Sequence, residues 1–241
     1  SYDQFDKAQA SGATCPVARD EAGGIIYGAN GDPMPMYYDY NGTKYAFTGG
    51  DAIYEDVNHD GSIDQYDVVY LGSSLPKLTG GFGFRLFYKG WSLNAQFNYR
   101  YGNKIANVAR MMAENMHGAD NQSTAVNYRW RKEGDGANGG HVLPRALYGQ
   151  GYNWMGSDRF VEDGSFLRLN YLQLSYGFDS KLVKRIGLSR LNLYVSGENL
   201  FCLTNYSGVD PEVNYGSMGV TKDEAITPRA KSFTFGLTAT F

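Results

Sequence analysis

No run of eighteen or more apolar residues occurs in the 241-residue chain, so it contains no helix able to cross a bilayer. Positive charge is not in surplus either. Twenty-two Lys and Arg stand against 25 Asp and Glu, a net charge of −3, which leaves no basic footprint for nucleic acid. The three histidines, His59, His117 and His141, are scattered, with no H-E-x-x-H run and no Cys/His cluster. That argues against metal catalysis. No G-x-S-x-G elbow marks a serine nucleophile. Cysteine is limited to Cys15 and Cys202. The two could pair or stay free, and neither outcome makes a disulfide framework. The chain opens Ser1-Tyr2-Asp3, with no Met and no apolar leader segment, and is expected to be a mature or cut piece.

What is abundant is aromatic residues and glycine: Tyr 20, Phe 13, Trp 3 and Gly 31. With mean hydropathy at −0.43, this suits β structure with aromatic girdles better than helices. Half-polar strands and wet loops keep the hydropathy of a barrel low.

The strand signal is clearest in residues 230–241. Phe233, Phe235, Leu237, Ala239 and Phe241 are apolar, and Ser232, Thr234, Gly236, Thr238 and Thr240 between them are small or polar. That period of two gives one apolar and one wettable face. An apolar strand running to the last residue is expected of a membrane barrel, with Phe241 serving barrel assembly. The same alternation runs through Phe82–Tyr88 and Trp91–Tyr101 around a Lys89-Gly90 turn, through Ser165–Phe178, and through Leu191–Glu198. Near Tyr171 its phase slips, which predicts a bulge. Asn41-Gly42 predicts a small hairpin turn, and Lys181–Leu188 a short helical turn.

Residues 56–67 follow another pattern. Asp56, Asn58, Asp60, Ser62, Asp64 and Asp67 fall at the oxygen-ligand positions of a calcium loop, with Gly61 at the sharp turn. Bound Ca²⁺ in a structural role is the expectation. Asp67, shorter than the usual Glu, weakens the case for bidentate binding, and an acidic turn held by its own side chains is the alternative. In the long stretch 102–163, Ala106–Met116 has the pattern of a short helix. Trp130, Tyr148, Tyr152 and Trp154 are candidate contacts for a ligand or partner, because long barrel loops carry function. Glu162-Asp163 looks like a catalytic pair, but neighbours on a strand point to opposite faces.

Counting antiparallel strands back from Phe241 puts every long connection on one side and both short turns on the other. Outer-membrane barrels have long extracellular loops and short periplasmic turns. The fold expected is all-β: about five or six C-terminal antiparallel strands of a large transmembrane β-barrel. So few strands cannot close a barrel, so other polypeptide must complete it. Residues 1–77 are assigned to an extracellular loop region holding the calcium-like loop and one short strand. Residues 78–241 are assigned to barrel strands and their loops.

Several runs carry a family resemblance: Asp158–Leu169 (DRFVEDGSFLRL), Val195–Phe201 (VSGENLF), Tyr206–Glu212 (YSGVDPE) and Pro228–Leu237 (PRAKSFTFGL). With the Asp56–Asp64 loop followed by Val69–Gly72, Pro76 and Lys77, they resemble the C-terminal region of SusC/RagA-type TonB-dependent transporters of Bacteroidetes over about residues 50–241. The resemblance implies a plugged 22-stranded barrel in the bacterial outer membrane. It would import oligosaccharides or peptides beneath a SusD-like surface lipoprotein, drawing energy from TonB through a part of the protein absent from this chain, and would not be an enzyme. Two other classes remain open on sequence alone. One is a secreted all-β glycan-binding module with a dockerin-like calcium loop, and the other is a passive porin fragment.

Overall fold

A computed structural model describes residues 17–132, 135, 143–212 and 221–241. Among them the strands in chain order are β1 (Tyr37–Tyr40), β2 (Thr43–Ala46), β3 (Ser62–Ile63), β4 (Leu78–Tyr88), β5 (Trp91–Tyr101), β6 (Lys104–Asn107), β7 (Val161–Asp163), β8 (Phe166–Gly177), β9 (Arg190–Thr204), β10 (Lys222–Asp223) and β11 (Ser232–Thr240). Two short helices join them, α1 (Val108–Glu114) and α2 (Ser180–Val183), the latter continuing as a 3-10 turn through Ile186. The chain divides into two compact units, residues 1–71 with 110–157, and 72–109 with 158–241.

In the first unit, β1 and β2 form the hairpin that Asn41-Gly42 predicts. Both turn residues have positive φ, 51° and 76°, as a turn matched to strand twist requires. β3 adds parallel to β1. Met36, Phe47 and Ile63 form a core against which Tyr38, Tyr45, Tyr54 and Met155 pack. A single turn of the later sequence, Tyr152–Trp154, belongs to this unit. Tyr152 stacks on Tyr45 at 4.1 Å with the rings 12° apart.

The second unit is built on a five-stranded antiparallel sheet in the order β11-β9-β8-β5-β4. Each of these strands pairs with its nearest large-sheet neighbours in sequence, so the sheet is a meander. Lys89 and Gly90, with φ 44° and 88°, make the two-residue β4–β5 turn. Gly177 and Ser189 bond across the same end of the sheet, to Gly90 and Thr240, so both short turns and the end of β11 lie together. The long connections leave from the opposite end. The phase slip near Tyr171 is seen as two irregularities around Asn170. Against β5 the extra residue is Asn170 itself; against β9 the register jumps between Leu169/Phe201 and Tyr171/Glu198. Asn199, at φ 52°, takes up that extra residue on β9.

A small second sheet, β10-β6-β7, accompanies the large one. Ile105 and Tyr206 are buried together in its core. The connection after β9 therefore contains a two-residue strand where the sequence suggests only loop. The short strand expected in residues 1–77 falls at residues 23–27, which make isolated bridges instead, Arg19 to Ile25 and Tyr27 to Pro33.

Candidate functional site

The register of the large sheet sorts its side chains by chemistry. Across the strands, Phe82, Phe97, Leu169 and Phe201 fall in one row; Leu86, Leu93, Leu174, Val195 and Phe235 in another; Tyr88, Trp91, Tyr176, Leu193 and Leu237 in a third. All lie on one face. In the intervening rows the other face carries Asn94, Gln96, Asn98, Arg100, Gln173, Ser175, Asn192, Ser196 and Glu198. On the apolar face the rings touch, Phe82 and Phe97 stacking at 5.0 Å and Phe97 meeting Phe201 edge-on at 6.5 Å. Yet this face is open: Phe235 is 81% exposed and Phe82 53%. Water-soluble domains do not leave an apolar surface of this breadth uncovered. A face of this kind backed by a polar one is the surface of a lipid-facing barrel wall. Among the described residues the two outer edges, β4 and β11, pair with nothing further.

The polar face holds a buried cluster that sequence reading did not single out. Arg168, only 4% exposed, projects from β8 into it. Its guanidinium ion-pairs with Asp210 and, at 3.1 Å, with Glu212, both on the connection after β9. Arg229 closes the set from the chain leading into β11, 2.8 Å from Glu212, and Asn98 of β5 donates to Glu212. The cluster ties the loop back onto the sheet's polar face. The signal was present: Arg168 is the one charged residue of β8, in a polar slot of its alternation, and the loop offers two carboxylates around Pro211.

The calcium-like loop forms a closed turn. Asp56 accepts from the amides of Asp60 and Gly61 (3.2 and 2.8 Å), and Asp60 accepts from Ser62. Asn58 accepts from the Asp60 amide. Asp67 clasps both ends, accepting from Val57 and Asp64 at 2.8 Å each, while Asp64 caps the following 3-10 turn through Tyr66. Gly61, at φ 85°, supplies the left-handed residue the turn needs. Its oxygens are the ones that could hold a cation, but no group of three or more His, Cys, Asp or Glu is gathered around a metal position among the described residues.

The four loop aromatics separate. Tyr148 is 81% exposed. Trp154 is buried, Tyr152 is taken up by Tyr45, and the Trp130 ring covers Gly50, where any Cβ would collide with it. The backbone beside them is fixed by Asp51, whose side chain is fully buried. Asp51 accepts from Arg145 Nε (2.7 Å), the Tyr45 hydroxyl (2.6 Å), the Thr48 amide (3.0 Å) and Asn153 (3.1 Å). Burial raises the Asp51 carboxyl, but these donors outweigh it and hold the group below its ordinary value. Burial, together with the Asp51 charge, pushes the Tyr45 phenol up to about 12. Phe241 is 93% exposed and continues the apolar alternation of β11. Cys202 is a free thiol on β9, and Cys15 lies outside the described residues. Glu162 and Asp163 serve separate partners, Asn107 and Ser207 for the first and Ser165 for the second.

Known proteins give the same reading as the sheet. The chain is 30% identical over 199 residues to TonB-dependent receptor P3 of Formosa agariphila, covering 80% of this chain and 19% of that protein. To TonB-dependent receptor SusC of Bacteroides thetaiotaomicron it is 27% identical over 222 residues, 90% of this chain and 18% of SusC. The chain is thus similar to TonB-dependent receptors of the SusC/RagA type. No family model matches it. Among solved structures, the RagAB peptide importer in its closed-closed state superposes with a TM-score of 0.60 at 25% identity, over 90% of this chain and 20% of that one. Another structure of the RagAB peptide transporter gives 0.60 at 26% identity, over 85% and 20%. The chain thus spans about a fifth of the length of the SusC-type relatives it matches. Its open five-stranded sheet is a part of such a barrel wall.

Proposed function

We propose that this chain is the C-terminal barrel segment of a TonB-dependent outer-membrane importer of oligosaccharides or peptides, working with a SusD-like surface lipoprotein. The observation that carries the reading is the two-faced sheet: broad apolar exposure on one side, a polar side on the other, and two edges that pair with nothing further among the described residues. Its relatives are receptors and importers rather than enzymes. Substrate and lipoprotein partner are inferred from those relatives alone. Nitroxides placed one at a time along residues 232–239 of the complete transporter test the wall. Labels at Phe233, Phe235 and Leu237 should meet oxygen dissolved in lipid, and labels at Thr234 and Thr238 a water-soluble nickel reagent. Uniform access of the nickel reagent, with the protein in the soluble fraction, defeats the proposal. Growth of a deletion strain on oligosaccharides or on peptides as the nutrient distinguishes the two substrate classes.

We also propose that the Asp56–Asp67 loop takes Ca²⁺ once Asp60 and Asp64 turn from their amide partners toward a shared ion, with Asp56 and Asn58 completing the oxygen set. Calcium should then slow chymotryptic cleavage at the exposed Tyr66 inside the loop, an effect removed by Asp56→Ala. Identical cleavage with calcium and with chelator would show that the loop is held by its own hydrogen bonds.

A further inference from the structure

Two features of the second unit lie at the same end of the sheet. The first is a groove of about 660 Å³ on the apolar face, whose walls include Trp91, Leu174, Tyr176, Leu193, Phe235 and Leu237. The second is the pair of short turns. They carry Lys89, Lys181, Lys184, Arg185 and Arg190 against a single carboxylate, Asp179. All five cations are exposed, and none forms an ion pair among the described residues. Asp179 is occupied in capping α2, accepting from the Lys181 amide. The turn also presents two bare apolar side chains four residues apart, Leu182 at 65% and Ile186 at 67% exposure, while Val183 between them is buried.

Exposed leucine and isoleucine beside three cations on one short helical turn form an interfacial anchor: apolar tips enter the acyl boundary and basic groups stay at headgroup level. Trp91, Tyr176 and Tyr88 close by belong to the same depth, where aromatic rings collect. We propose that this end of the sheet is a binding site for an anionic phospholipid, with an acyl chain in the Trp91–Phe235 groove and the phosphate among Lys181, Lys184 and Arg185. The occupant follows from charge: with no local acidic partner, the cations face whatever lies at the membrane surface, and each gains from a negatively charged headgroup. This rests on the barrel reading, which makes the short-turn end periplasmic and so next to the phospholipid leaflet.

The test is native mass spectrometry of the complete, detergent-purified transporter titrated with phosphatidylglycerol and, separately, phosphatidylethanolamine. Wild type should retain phosphatidylglycerol adducts preferentially. The triple variant Lys181→Gln/Lys184→Gln/Arg185→Gln should lose about tenfold in phosphatidylglycerol retention while leaving phosphatidylethanolamine retention unchanged. Val195→Trp, which fills the groove, should lower retention of both lipids. Heat-modifiable gel mobility confirms that each variant is a folded barrel. Equal retention of the two lipids by wild type overturns the site, as does a triple variant indistinguishable from it. So does capture of an acidic periplasmic peptide that lipid fails to displace. A wild-type protein recovered in the soluble fraction would instead overturn the barrel reading beneath it.

Discussion

Replacing Asp51 with Asn keeps the shape of the side chain and removes its charge. Every polar contact around this position is paired: Arg145, Tyr45, Thr48 and Asn153 all donate to it. After the change, one carboxamide oxygen must serve these donors while the amide group faces at least one of them. Breaking a buried ion pair costs about 3–5 kcal/mol. The lower end applies here, because the Arg145 side chain is 31% exposed and can recover hydration, whereas that of Asp51 is at 0%. About 3 kcal/mol corresponds to roughly a 150-fold change in a local opening equilibrium. Hydrogen exchange on the complete transporter reads it directly, at the amides of Thr48 and Ala52, which are bonded within this network. The pH dependence adds a second arm. The folded carboxyl lies below its unfolded value, so its contribution is complete above about pH 3.9 and is lost as pH falls through the folded value. Wild-type protection should therefore fall on acidification below about pH 4, and the Asn variant should lack that acid limb. A loss of protection under about fivefold, with the acid limb unchanged, would refute the account of Asp51 as the organising charge of this unit.

Tyr45, whose phenol is raised to about 12 in the fold, should weaken the same unit as pH climbs from 10 toward 12, because the unfolded phenol ionises first. Tyr45→Phe should remove that alkaline loss of exchange protection. At Gly236 an added Cβ would strike the Tyr194 ring. Gly236→Ala should therefore lower barrel stability by about 1–3 kcal/mol, seen as a lower melting temperature in heat-modifiability gels, with Tyr194→Ala restoring most of it. Arg168→Ala leaves Asp210 and Glu212 without their buried partner, and the chain at Tyr206–Glu212 should become protease-sensitive while the barrel still assembles. Cleavage at the wild-type rate would dismiss the cluster as a loop anchor. Phe241→Lys should reduce the amount of assembled barrel and spare substrate affinity, checked by membrane yield beside a binding assay. Normal yield with lost binding would reverse that assignment.

The large sheet was readable because its two faces meet different solvents. Phe233, Phe235 and Leu237 against Thr234 and Thr238 leave a period of two that no packing detail can erase, and the slip at Tyr171 is the visible trace of the irregularity at Asn170. The Asn41-Gly42 and Lys89-Gly90 turns were legible for a related reason: few residues accept positive φ twice in succession. Partners separated by a hundred residues leave no such mark. Nothing local in Asp51 or Arg145 announces that they meet, and Trp154 and Tyr148 look alike in sequence although one is buried and the other exposed. The Arg168 cluster lies between these cases, since its charges were in view but their convergence depends on how the loop returns to the sheet.

The open edges of β4 and β11 decide what counts as a heritable unit. In hydrocarbon, the unpaired amides and carbonyls along each edge have no water to turn to, and each would cost several kcal/mol. The five-stranded sheet therefore does not make a stable wall by itself, and a lesion in β4 or β11 is felt by whichever strand lies against it. Compensating substitutions for edge mutants should thus arise outside these 241 residues as well as in β5 and β9, whereas those for β8, enclosed by β5 and β9, should arise within them. The reach of a mutation in this wall is set by where hydrogen-bonded closure happens, not by where a stretch of sequence stops.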